Sequence, residues 1–453
     1  MKRKTDLLIA AALFFAASGI LVAADFETDI KNVGNGLADY KSGKAAEFIA
    51  QTPVPLDTSG LNGTKWYSVT FFGNTHKYVG KAAMKFINKS VFPDLGAAKD
   101  ILIDGCADET GHPDPKANGG RPEDLWYGVK PETLGGVLQN YTQFKFNEAY
   151  ARLGTIAHLT QDQAVPTHAA NIKHYIGDSF EGFYGNDVKI ASRRSNEDRE
   201  PYAYYQELQD ETRRKLPGWT DPKTGRQYWV EAPDAPPLGQ DATYGPRGHY
   251  GGKHDWDMYA VPPPQDNSNG NNNNTWITAH PEIRLLQMAE AGAATISVFE
   301  SASKRLPPLV QNLSVSTAAF DSPEGTRVGY NIKFNAYDNR SPRVAVEVIV
   351  YTEGGSIGTA SSGVATLAAP PKDGIMFSGA LTVPWAGVVD FRALPAGKYF
   401  LDVRLTDDDG NTVPESVNTD GIRENDTRVE VTIPETGNFA PAPPETTPVA
   451  RRY

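Results

Sequence analysis

The sequence predicts a chain in two parts, an all-α domain followed by an all-β sandwich. Two patterns and the break between them lead there. Apolar Phe146, Ala149, Tyr150, Leu153, Ile156 and Ala157 recur at the three-and-four spacing of a helix with one buried face, as do Ile283, Leu286, Ala289, Ala293, Ile296 and Phe299. Past Pro307-Pro308 the period changes. VAVEVIVY, GIMFSGALTV and KYFLDVRLTD are strand-like and are separated by turns such as Asp409-Gly410-Asn411.

Taken in order, Met1-Lys2-Arg3-Lys4 and the apolar run from Leu7 to Val22 have the layout of a secretory signal peptide, with small residues Ala23 and Ala24 before a cleavage site. This predicts residues 1–24 as signal, a secreted or periplasmic protein, and no other transmembrane segment. Residues 25–65 are polar and weakly periodic and read as an extension or pro-segment. Trp66 opens a β-prone hydrophobic stretch. Asn74-Thr75 then caps a helix from His76, whose stripe is Val79, Ala82, Ala83, Phe86 and Ile87. Pro281 opens the helix that runs to about Arg305. The boundaries that follow are a helical domain over 66–306, a sandwich over 309–434 and a proline-rich, disordered tail over 435–453.

Composition narrows the function. The formal charge of −11 and the pI near 5.3 disfavour a protein that grips duplex DNA by its phosphates. Cys106 is the single cysteine, so no internal disulfide forms.

Chemistry concentrates in HLTQDQAVPTHAANIKHYIGDSFE, which holds His158, Asp162, His168, His174, Asp178 and Glu181. His158 and Asp162 fall one helical turn apart and can converge on one ion. Pro166 ends or kinks the helix and lets His168 enter from a second direction. Imidazole with carboxylate and no thiolate suits zinc, and a carboxylate such as Asp162 can bridge two ions. Asp178 to Glu181 also reads as a capping box, the ordinary structural use of those residues.

The spacing His158-x3-Asp162-x5-His168, with Pro166 before the second histidine and Ala169-Ala170-Asn171 after it, resembles the zinc-dependent phospholipase C and single-strand nuclease superfamily. The resemblance implies an α-helical phosphodiesterase domain with two or three zinc ions. It carries a ligand role onto His76, at the start of the first helix, and onto Asp108, which the family also uses as general base. It departs from the family at Glu123-Asp124-Leu125-Trp126-Tyr127, where a histidine is expected; either His112 moves in or a carboxylate such as Asp124 replaces it. His174 pairs with Glu181, with Asp178 as substitute. Trp66 serves as an amino-terminal ligand only if residues 25–65 are removed.

Tyr202, Tyr204, Tyr205, Trp219, Tyr228, Trp229, Trp256 and Tyr259 either line the mouth of a phosphodiester site or anchor loops. The segment from Gly397 to Asn411 resembles the closing hairpin of immunoglobulin-like sandwiches, and Asp407, Asp408 and Asp409 form a calcium loop or an acidic hairpin tip.

The expected function is therefore a secreted zinc-dependent phosphodiester hydrolase, a phospholipase C acting on phospholipid or a membrane surface. A zinc-dependent single-strand nuclease or 3′-nucleotidase is the alternative enzyme. A non-catalytic surface or binding protein is the alternative of another class. The sandwich is expected to meet a membrane or cell-surface ligand, and no stable protein partner is inferred.

Overall fold

The computed structural model describes residues 46–49, 75–107, 122–128, 135–170, 190, 199–220, 225, 227–230, 249–250, 281–322, 325–370, 374–389, 392–413 and 427–435. They divide into two compact units, one drawn from Met1–Asp57 with Arg305–Tyr453, the other from Thr58–Lys304.

In chain order the elements begin with strand β1 (Ala46–Ile49). The helices α1 (Thr75–Phe86), α2 (Pro93–Ala97), α3 (Lys99–Cys106), α4 (Pro122–Tyr127), α5 (Val137–Thr142) and α6 (Phe146–Asp162) follow. Next come α7 (Pro166–Ala169), α8 (Ala203–Lys215), the short strands β2 (Trp229–Val230) and β3 (His249–Tyr250), and α9 (Pro281–Arg305). The rest is strand: β4 (Leu309–Ser322), β5 (Gly325–Asp338), β6 (Arg343–Thr352), β7 (Gly355–Thr366), β8 (Phe377–Trp385), β9 (Val388–Val389), β10 (Arg392–Ala393), β11 (Gly397–Thr406) and β12 (Arg428–Ile433).

The helical unit is built around α6. Phe146 and, without a break, Ala149 to Gln161 are buried. A helix buried on every side is a core helix rather than the one-faced helix that the apolar spacing suggested. It already ends at Asp162: Gln163 is its C-cap, and Val165 takes the extended conformation that a following proline favours. Pro166 therefore does not break α6. It opens α7 at a position where its missing N–H costs nothing.

Two features fix the neighbours of α6. A Cβ on Gly105 would meet the Ala151 carbonyl oxygen at 2.5 Å, and one on Gly154 would meet the Gly105 Cα at 2.7 Å. Helices α3 and α6 thus touch backbone to backbone, a closeness that only glycine at both positions permits. Asp94 of α2, fully buried, accepts hydrogen bonds of 2.8 Å from both the Tyr150 hydroxyl on α6 and the Ser303 hydroxyl on α9. In α9 the apolar face includes Ile283, Ala293, Ile296 and Phe299 as the spacing predicts, but Leu286 is exposed.

The β unit holds a five-stranded sheet of order β1-β7-β6-β11-β12 and a three-stranded sheet of order β4-β5-β8. Alternate residues of both sheets, among them Val346, Val348, Leu401 and Val403 from one and Ile332, Phe334, Leu381 and Val383 from the other, share one apolar core. Trp385 closes it, its Nε1 donating to the Val388 carbonyl oxygen at 2.8 Å. Tyr399, also buried, donates its hydroxyl proton to the Pro395 carbonyl oxygen at 2.9 Å.

This corrects the expected fold class, an all-α zinc phospholipase C/nuclease-like domain followed by an all-β immunoglobulin-like sandwich. The chain is mixed α and β. Among the described residues strand β1 precedes every helix, and it joins the five-stranded sheet in parallel with β7, Ala46 opposite Gly363 and Ile49 opposite Thr366. The helical unit in turn carries the antiparallel pair β2 and β3. The physical reason is that a sheet edge leaves backbone N–H and C=O groups unpaired, and any extended segment can satisfy them without an apolar pattern of its own.

Candidate metal centre

Helix α1 begins at Thr75, one residue before the expected start at His76, and buries Val79, Ala82 and Ala83, with Ile87 buried just beyond it; Phe86 is exposed, against the expected stripe. That packing turns His76, one residue into the helix, toward the C-terminal turn of α6. There it meets His158 and Asp162. The His76 and His158 rings lie 4.2 Å apart between centroids and tilt by 34°. Asp162 faces both: Oδ1 is 3.3 Å from His76 Nε2, and Oδ2 is 3.6 Å from His158 Nε2. One donor atom from each of the three residues lies within 4.8 Å of the others, so the group can hold a metal ion.

Each imidazole is held from behind. His158 Nδ1 is 2.8 Å from the Cys106 carbonyl oxygen. A carbonyl only accepts, so Nδ1 carries a proton, and in the neutral ring Nε2 has the lone pair, toward Asp162. The close approach of Gly105 and Gly154 brings that carbonyl within reach of α6. His76 Nδ1 is 2.9 Å from Gln161 Oε1. This pattern, one ring nitrogen on a fixed acceptor and the other facing inward, is how metal-binding histidines are oriented. A tetrahedral ion with bonds of about 2.0–2.1 Å places its donors about 3.3–3.4 Å apart. The His76–Asp162 distance of 3.3 Å and the His158–Asp162 distance of 3.6 Å, each to a different carboxylate oxygen, are close to that, so each imidazole with Asp162 can hold a small divalent ion.

The Cys106 thiol is not a donor here. Burial pushes it up to about 12, which keeps it protonated at neutral pH.

Three of the residues singled out in the sequence are thus brought together. His168 lies on α7, partly buried, and Asp124 on α4; the three-residue group does not include them. Trp66, Asp108, His112, His174, Asp178 and Glu181 lie outside the described residues. The spacing of the sequence missed Gln161 and the Cys106 carbonyl. The first left a faint signal, an amide next to a candidate ligand on a helix face; the second left none, because a backbone carbonyl has no sequence identity.

The aromatic residues downstream divide clearly. Tyr204, Tyr228 and Trp229 are buried, and Trp229 packs edge-on against Trp219 and Tyr228 at 5.7 Å. They anchor the chain and offer no open face for a base or a choline. Trp256 and Tyr259 lie outside the described residues.

No helix among the described residues is long and apolar enough to cross a membrane; the signal-like residues 1–24 lie outside them. No protein-family model matches the chain, and no curated protein matches it.

Proposed function

We propose that the protein is a zinc-dependent phosphodiester hydrolase that acts on phospholipids as a phospholipase C. The observation that carries this reading is the placement of Asp162, with one carboxylate oxygen toward His76 and the other toward His158. A carboxylate so placed suits a bridge between two ions, the role that the resemblance of His158-x3-Asp162-x5-His168 to zinc-dependent phospholipases C and nucleases gives it. The absence of a thiolate donor favours zinc with nitrogen and oxygen ligands.

In this reading His76, His158 and Asp162 form one side of the centre. His168, Asp108, His174 and Glu181 complete it, with His112 or Asp124 in the place of the missing family histidine. Zinc, when bound, would supply an acidified water and positive charge beside the phosphoryl oxygens. The Cys106 carbonyl and Gln161 hold the two imidazoles at a fixed angle, Asp162 lies between them, and Asp108 would accept a proton from the water.

The acidic charge of −11 supports a lipid over a polyanionic nucleic acid as substrate. The test is hydrolysis of phosphatidylcholine vesicles beside single-stranded DNA, each with and without a zinc chelator. Chelator-sensitive release of diacylglycerol supports the reading. Loss of DNA alone moves the assignment to a nuclease, and turnover of neither overturns it.

A further inference from the structure

We propose that Gln161 is a positioning residue that selects which nitrogen of His76 faces the centre, and that Thr295 of α9 holds Gln161 in the orientation that does so. The inference rests on the reading of His76, His158 and Asp162 as metal ligands.

Thr295 Oγ1 lies 2.8 Å from the Ala291 carbonyl oxygen and donates its only proton there. Toward Gln161 it is left to accept, and Gln161 Nε2 lies 3.0 Å away. The nitrogen end of the amide is thereby fixed on α9. The oxygen end turns to α1, where Oε1 is 2.9 Å from His76 Nδ1. An amide oxygen only accepts, so Nδ1 of His76 carries a proton, and in the neutral ring the lone pair is on Nε2, facing Asp162.

Turning the amide over would place its NH2 against Nδ1. The ring proton would then move to Nε2 and point at the carboxylate, leaving no lone pair for an ion. A buried hydroxyl on one helix therefore decides the donor atom of a histidine on another. Gln161 and Thr295 are 2% and 0% exposed, so bulk water is not at hand to replace either partner. The Gln161 side chain also hydrogen-bonds the buried Cys106 thiol, which ties α3 into the same device. His158 needs no such device, because its partner is a backbone carbonyl that cannot be turned over.

The test reads the tautomer without metal. Long-range proton–nitrogen spectra of the ¹⁵N-histidine-labelled, metal-free full chain at pH 8 are expected to show His76 protonated on Nδ1. Gln161→Met removes the acceptor and Thr295→Val removes the anchor; both are expected to shift His76 toward the Nε2-protonated form. Zinc affinity is expected to fall about 10–100-fold in Gln161→Met, the range for loss of an outer partner of a metal-bound histidine. Gln161→Glu keeps the acceptor and is expected to keep the Nδ1–H form. An unchanged tautomer and zinc affinity within twofold of wild type in both Gln161→Met and Thr295→Val would overturn the proposal. A wild type that shows the Gln161-dependent tautomer but takes up no zinc would remove the metal reading and leave the positioning role standing.

Discussion

Gly105 of α3 and Gly154 of α6 cross with no room for a side chain on either, and one residue beyond Gly105 the Cys106 carbonyl accepts the Nδ1 proton of His158 at 2.8 Å. The approach of two helices and the orientation of a candidate ligand are therefore one fact. Replacing Gly154 with alanine forces the helices apart. The expected cost is about 1–3 kcal/mol, typical of overpacking in a tight core. Zinc affinity should fall with it. Urea unfolding together with a zinc titration checks both, and a variant with altered stability but intact zinc affinity would separate the two effects.

Asp94 supplies a second test of the helical unit. Its buried carboxylate is held by Tyr150 and Ser303, each at 2.8 Å. Tyr150→Phe removes one donor to a group that water cannot reach. A loss of about 1–3 kcal/mol in urea unfolding is expected, the usual penalty for leaving a buried acceptor short of a partner.

The β unit carries a pH dependence of definite sign. Asp338 is fully buried; its Oδ1 accepts the Arg340 and Ser341 amide protons and its Oδ2 has no hydrogen-bond partner. Burial pushes its carboxyl up to about 7, and burial with the nearby Asp338 charge pushes Asp407 up to about 8. Around them Arg340 pairs with Asp409, and Asp408 accepts the Ser341 hydroxyl proton. Both folded values exceed the ordinary carboxylate value, so between about pH 4 and pH 8 the folded state holds more protons than the unfolded chain. The stability contributed by this pair is full near pH 4 and is lost as pH rises through 7 to 8. Amide exchange of β5 and β11, corrected for its intrinsic pH dependence, should show more protection at pH 5 than at pH 8. Asp338→Asn keeps the accepting oxygen and removes one like charge. It should flatten that dependence.

Strand β1 bears on the amino terminus. Processing that exposed Trp66 would remove residues 46–49 and leave β7 unpaired on that edge. Truncation before Trp66 is expected to raise amide exchange along residues 363–366 of β7. Mass spectrometry of the mature protein tells whether the cell makes that cut.

The sequence made some of this legible and hid the rest for physical reasons. Helical periodicity located α6 and α9, because a 3.6-residue apolar repeat survives whatever packs on it. It misjudged α6, where small and polar residues such as Thr155, Thr160 and Gln161 are buried beside apolar ones, and Leu286, which points outward. Strands β6, β8 and β11 announced themselves by their strand-like runs; β7 did not. Strand β1 did not, since four residues recruited to a sheet edge need no pattern. At the site, one helical turn on α6 made His158 and Asp162 a readable pair. Their union with His76 depends on a contact across 82 residues, from His76 to His158, which spacing cannot show. The resemblance placed His76 there; periodicity alone only turned it inward.

The central claim is that His76, His158 and Asp162 are ligands of a metal centre. Zinc content of the purified full chain and of Asp162→Ala, measured by atomic emission after dialysis against trace zinc, tests it most directly. Bound zinc in the wild type and its loss from the variant, with helical content unchanged, is the predicted result. Equal zinc in both proteins, or none in the wild type, would contradict it.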